Sequence, residues 1–185
     1  MILVIDTETT GMYDFKSSPD APHQPRLVQL AMLAVEGDRT VAAISVMIRG
    51  VIIPDEAAEV HGITTEIAAA CGVPLLASLA FFDDFLTRSN LVIAHNLSFD
   101  RAIMWSELIR EGFSAYHRDG YCTMHAMTPI CRIPGRYGDY KWPKLTEAYR
   151  HCFGEDLDGA HDALADARAC LRIYRWLENL GDMKL

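Results

Sequence analysis

The chain opens on an apolar run, Ile2-Leu3-Val4-Ile5, that stops at the polar stretch Asp6-Thr7-Glu8-Thr9-Thr10-Gly11. A short apolar run closed by polar residues predicts a buried strand over 1–6. Residues 12–25 carry Pro19, Pro22 and Pro25 among serines and aspartates, which predicts a loop. Arg26 to Val35 and Val41 to Ile48 read as two further strands, with Gly37-Asp38 as the turn between them. From Pro54 through His61-Gly62-Ile63-Thr64 the pattern is irregular. Leu75, Leu76, Leu79, Phe82, Phe85 and Leu86 recur at helical spacing and predict a helix over 75–88.

Leu91 to Ala94 predicts a short buried strand. Phe99, Ala102, Ile103, Trp105, Leu108 and Ile109 then predict a helix that ends before Gly112. Residues 132–144 read as a loop, and helices are expected near 144–152 and 162–180. The last carries an apolar stripe through Ala163, Ala167, Cys170, Leu171, Tyr174 and Leu177. Strands first, then helices around one more strand, imply an α/β fold with a mixed sheet flanked by helices. With 185 residues, no repeat and no low-complexity tract, one domain over 1–185 is expected.

Composition narrows the classes. Half of the residues are hydrophobic, too many for a disordered chain. No run approaches the ~20 residues of a membrane span, and the first apolar run is too short for a signal peptide. A cytoplasmic protein without a membrane partner is expected. Five scattered cysteines without a C-x-x-C pair predict reduced, buried thiols rather than zinc or disulfides. The net charge of −8 argues against a broad basic surface that coats nucleic acid. It is compatible with an enzyme that holds one strand end with the help of divalent cations.

Asp6 and Glu8 stand two apart where the first strand ends, so their side chains share a face. Asp100 falls in the first turn of a helix that follows a buried strand. Asp166 falls near the start of the last helix, five residues after His161. Each has an ordinary alternative: Asp-x-Glu is most often solvated charge, and an acid in a first helical turn is favoured by the dipole. Asp162 reads as an N-cap without a catalytic role. Together, four gathered carboxylates would repel one another and raise their pKa values. Mg²⁺ or Mn²⁺ relieves that repulsion, and two such cations ~3.5–4 Å apart suit phosphodiester cleavage. Five residues on a helix turn through about 140°, so His161 belongs in the loop before the helix. From there an imidazole with pKa ~6.5 can serve as a general base.

In this order the motifs Asp6-Thr7-Glu8-Thr9-Thr10-Gly11, His61-Gly62-Ile63-Thr64, His95-Asn96-Leu97-Ser98-Phe99-Asp100 and His161-Asp162-Ala163-Leu164-Ala165-Asp166 resemble the DEDDh exonucleases. The resemblance covers nearly the whole chain and is nearest to the proofreading exonuclease subunits of bacterial replicative polymerases. It implies a ribonuclease-H-like fold and two-metal, 3′-to-5′ removal of nucleotides from a single-stranded end. It further implies that Asp6, Glu8 and Asp166 hold one cation, and that Asp6 holds a second with Asp100 nearby. His161 would take the proton of the attacking water. Thr9, His61 and Phe99 match positions that contact the terminal nucleotide, although Phe99 also reads as a core-facing residue. His95 and Asn96 read as shaping the turn. DNA is favoured over RNA; an exoribonuclease or oligonucleotide trimmer is the alternative, and a non-catalytic strand-end binder a third. The chain stops soon after the last helix. It shows no extra tail of the kind that reaches a polymerase, which counts against stable polymerase association without deciding it.

Arg132, Arg136, Lys141 and Lys144, interleaved with Tyr137, Tyr140 and Trp142, form one more candidate contact for a single strand. The alternative is that Trp142-Pro143 packs beneath the next helix while the charges are solvated.

Overall fold

The computed structural model describes residues 1–113 and 118–181. Its centre is a five-stranded sheet built from β1 (Ile2–Thr9), β2 (Leu27–Glu36), β3 (Arg39–Met47), β4 (Leu91–Ala94) and β5 (Asp119–Cys122), in the order β3-β2-β1-β4-β5. β1, β2 and β3 pair antiparallel, whereas β4 and β5 add in parallel to β1. The first strand of the chain is therefore the middle of the sheet, and the ends of β1, β4 and β5 open on one edge.

Alternation along β1 assigns its faces. Leu3 and Ile5 pack with α3 (Leu75–Arg88) and α4 (Leu97–Arg110) on one side. Val4 packs on the other with Ala163, Ala167 and Cys170 of α7 (Ala163–Asn179). Small residues on α7 let that helix lie close against the sheet. The expected stripe on α7 is buried throughout. Its outer side is covered by α6 (Leu145–Phe153) and by α5 (Thr123–Cys131).

Three expectations are corrected. The stretch from Pro54 to Thr64 read as irregular contains a short helix, α1 (Asp55–His61), and a second, α2 (Thr65–Cys71), follows it unread. Gly62 at φ 75° ends the first, and the Thr64 hydroxyl caps the second. Neither buries enough apolar surface to leave a periodic signal: no residue of α1 is buried, and only Ala68 of α2 is. β5 and α5 went unread because Asp-Gly-Tyr-Cys is a short, polar edge strand and α5 carries Pro129 inside it. The cysteines are free, but Cys71 is exposed and only Cys170 is buried. Among the described residues, no helix is long and apolar enough to cross a membrane.

Candidate active site

Asp6 and Glu8 follow Val4 at two-residue steps and so stand on the α7 face of β1. α7 begins there. The side chain of Asp162 caps it, accepting from the backbone N–H groups of Leu164 and Ala165 at 3.1 and 3.0 Å. Asp166 lies one turn in. His161 sits in the loop before the cap with φ 69°, a left-handed backbone that few side chains adopt. That turn lets its N–H donate to Asp166 Oδ2 at 3.2 Å. It also brings a ring nitrogen of the exposed His161 within 4.8 Å of carboxylate oxygens of Glu8 and Asp166.

Asp100 arrives from the opposite layer. Asn96, left-handed at φ 75°, turns the chain from β4 into α4 and places Asp100 in the first turn, buried at 3% exposure. Thr7 points to that side of β1, and its hydroxyl donates to Asp100 Oδ1 at 2.9 Å. The carboxylates thus converge on the end of β1 from both faces of the sheet.

Every one of the four is pushed above the ordinary carboxylate range. Burial is the first cause throughout. Asp6 is raised well above it, by burial and then by Asp100, Asp166 and Glu8. Glu8 is raised to about 8 by burial and by Asp166 and Asp100. Asp100 reaches about 7 against the opposing pull of the Thr7 hydroxyl, and Asp166 about 6 against that of His161. Mutual repulsion was the expected cause; it contributes at Asp6 and Glu8, but desolvation leads it.

Beside this cluster lies a cavity of about 520 Å³. Glu8, Thr9, Met12, Val60, His61 and Phe99 are among its lining residues. Thr9 donates its hydroxyl to the Gly11 carbonyl at 2.7 Å. His61 accepts the Ile63 N–H on Nδ1 at 3.1 Å, while its Nε2 is buried with no hydrogen-bond partner. Burial lowers the His61 pKa, and His161 adds to that; the Thr9 backbone opposes it without meeting hydrogen-bond geometry. Phe99 lines the cavity and also packs on the core cluster.

Of the residues that brace the site, Gln29 was not singled out. Gln29 pairs with Glu8 across β1 and β2, accepts from the Ala163 N–H at 3.3 Å and donates to Asp162 Oδ2 at 3.4 Å. It ties the start of α7 to the sheet. His95 is half-buried and its pKa is lowered to about 4, mainly by desolvation. Neutral, its Nε2 donates to the Pro143 carbonyl at 3.0 Å and its Nδ1 accepts from the Thr123 hydroxyl at 2.9 Å. The 132–144 segment makes a small hairpin, with Gly135 and Lys141 N–H groups bonded to the Asp139 and Ile133 carbonyls. Its Tyr137 is 89% exposed, and the exposed Trp142 ring lies 5.3 Å from that of His125. Lys141 is held by Glu147 at 2.7 Å.

With this geometry in place, comparison with known proteins decides the family. A family model described as Exonuclease matches residues 3–174. The chain belongs to the exonuclease family. It is a nuclease of the DEDD type. A relative among curated proteins, Uncharacterized exonuclease CP81 of Escherichia phage 186, is 29% identical over 97% of this chain and 89% of its own. Among solved structures, E. coli Exonuclease I in complex with a dT13 oligonucleotide matches with a TM-score of 0.78 at 18% identity. That match covers 98% of this chain and 42% of the other. The zinc-bound Exonuclease I–ssDNA complex matches at 0.75 and 18%, over 98% and 41%. The exonuclease chain described here thus spans about two fifths of those solved chains, and the likeness establishes the shared ribonuclease-H-like fold.

Proposed function

We propose that residues 1–185 act as one metal-dependent exonuclease domain that removes nucleoside 5′-monophosphates from the 3′ end of single-stranded DNA. One observation carries this reading: Asp6, Glu8, Asp100 and Asp166 converge from two layers of the fold beside an exposed His161 and at the mouth of a cavity. Half-buried acids held so far above their ordinary pKa values are strongly stabilised by cation binding.

The donor set fits Mg²⁺ or Mn²⁺. Carboxylate oxygens are hard ligands, and Asp166 Oδ1 is buried without a hydrogen-bond partner. The neighbouring Cys170 thiol is pushed far up by burial and stays protonated, so no thiolate competes. Asp6, Glu8 and Asp166 would hold one cation, and Asp6 with Asp100 a second. Two bound cations supply stabilisation of charge on the attacking and leaving oxygens. His161 accepts the proton of the attacking water on its imidazole. The water oxygen bonds to phosphorus, the bond to the preceding 3′ oxygen breaks, and that oxygen takes a proton from solvent and leaves as the new 3′-hydroxyl. Thr9, His61 and Phe99 seat the departing nucleotide in the cavity. The DNA assignment draws support from Exonuclease I, solved with dT13 and dA16 oligonucleotides.

The test is a time course on 5′-labelled single-stranded DNA and RNA of one sequence, with Mg²⁺, Mn²⁺ or EDTA, beside Asp6→Ala. The expected result is a metal-dependent ladder shortening from the 3′ end, faster on DNA and absent in the variant. No cleavage of either strand by folded protein would sink the proposal, and faster cleavage of RNA would reassign the substrate.

A further inference from the structure

The loop between β1 and β2 holds aromatic rings at the surface beside the nucleotide cavity. Phe15 is 63% exposed and meets Tyr13 edge-on, with centroids 4.9 Å apart. Tyr13 is fixed from α4, where the Ser106 hydroxyl donates to its oxygen at 3.2 Å. Trp105, 38% exposed on α4, bounds with Tyr13, Phe15, Ser98 and Arg101 an open groove of about 470 Å³.

The loop is braced. The buried side chain of Gln24 accepts from the Asp14 N–H at 3.0 Å and donates to the Asp14 carbonyl at 2.7 Å. The Asp14 carboxylate in turn accepts from the Lys16 N–H at 2.9 Å and the Ser17 hydroxyl at 2.7 Å. Phe15 projects from between these fixed points, so its exposure is built into the loop.

The groove continues the cavity. Met12 and Phe99 line the cavity; their chain neighbours Tyr13 and Ser98 line the groove. A strand whose terminal nucleotide fills the cavity and whose scissile phosphate lies at the carboxylates can lay its next nucleotides over that shared wall into the groove. The groove is not acidic at its wall: Arg101 borders it, held by a hydrogen bond to the Arg118 carbonyl, and Lys16 is exposed on the loop, offset there by Asp14 and Asp20.

We propose that this groove is a second nucleotide subsite, in which bases immediately 5′ of the departing nucleotide stack on Phe15 and Trp105. It rests on the exonuclease reading above. Stacking on an aromatic face is sequence-tolerant, because every base presents a π-face, so the subsite holds strands of any sequence.

Two substrates separate the subsite from the chemistry. One is an oligothymidylate, and the other is the p-nitrophenyl ester of thymidine 5′-monophosphate, which carries no upstream nucleotide. In the Phe15→Ala/Trp105→Ala double variant, KM for the oligothymidylate rises about fivefold or more, while kcat stays within about twofold. The rate on the ester matches that of the unaltered protein, which also reports an intact fold. An unchanged KM for the oligothymidylate, with both substrates hydrolysed, overturns the subsite and leaves the exonuclease standing. Failure of the unaltered, folded protein to hydrolyse either substrate with Mg²⁺ or Mn²⁺ overturns the exonuclease reading and the subsite with it.

Discussion

The hydroxyl of Thr7 donates to Oδ1 of Asp100 across 2.9 Å, joining the central strand to the helix that delivers the fourth carboxylate. Removing this bond without changing shape isolates its role. Thr7→Val keeps a β-branched residue in the strand but frees Asp100 to rotate. A hydrogen bond to a charged group is worth ~1.5–3 kcal/mol, so kcat is expected to fall about tenfold or more. Thr7→Ser restores the donor and should recover most of the rate. Steady-state kinetics on a labelled strand checks this; equal loss in both variants would contradict it.

A second expectation concerns pH in the absence of metal. Folding raises Glu8 to about 8, Asp100 to about 7 and Asp166 to about 6, and Asp6 lies well above its ordinary value. In the unfolded chain these groups titrate near ~4. The folded state therefore holds more protons between about pH 4 and pH 8, and stability falls as pH rises across that window. Their stabilising contribution is complete below the unfolded values and lost once pH passes the folded ones. Thermal unfolding in EDTA should show Tm dropping from about pH 5 to about pH 8. Mg²⁺ should raise Tm more at the upper end, because it binds the deprotonated cluster. A flat Tm in EDTA would mean the carboxylates are better solvated than the fold implies.

Much of this site was legible in the chain because its polar residues interrupt apolar elements. Asp6 and Glu8 stand out at the end of Ile2-Leu3-Val4-Ile5, and His161 could be placed in a loop from its spacing to Asp166 alone. What spacing does not carry is contact between layers. Nothing local marks Thr7 as the partner of Asp100, or Gln29 as the brace of α7, since both are made by strand pairing and helix placement. α4 was read as a helix, but the spacing that revealed it does not give its buried face. Trp105 and Ile109 belong to that spacing yet are partly exposed, whereas the charged Glu107 is buried. A charge inside a helix is ordinarily solvated, and only the folded arrangement of Arg26 and the Leu27 N–H around Glu107 reverses that.

His161 combines a catalytic proposal with a strained backbone, and the two separate by substitution. A non-glycine residue at φ 69° costs about 1 kcal/mol. His161→Gly removes the imidazole and relieves that strain. The kcat is expected to fall about 10²- to 10⁴-fold with KM little changed, while the urea midpoint is equal or higher. His161→Ala should lose the same activity without gaining stability. Retention of most activity in either variant would remove His161 as the base.

Glu107 offers the last prediction, on stability rather than chemistry. It is 1% exposed, accepts from Arg26 Nε at 2.8 Å and from the Leu27 N–H at 2.9 Å, and has Arg110 Nη1 at 3.5 Å. Glu107→Ala leaves a buried N–H without an acceptor and Arg110 Nη1, already lacking a hydrogen bond, without its nearest carboxylate. Breaking a buried pair in this way costs ~3–5 kcal/mol, and the partial exposure of Arg26 argues for the lower end, about 3 kcal/mol. Glu107→Gln keeps an acceptor for Leu27 and should lose less. Urea unfolding measures both. Because Glu107 lies on the helix that carries Asp100 but about two turns away, kcat below the unfolding transition should stay within a few-fold in each variant. A large drop in kcat with little loss of stability would show that the pair positions Asp100 rather than holding α4 to β2.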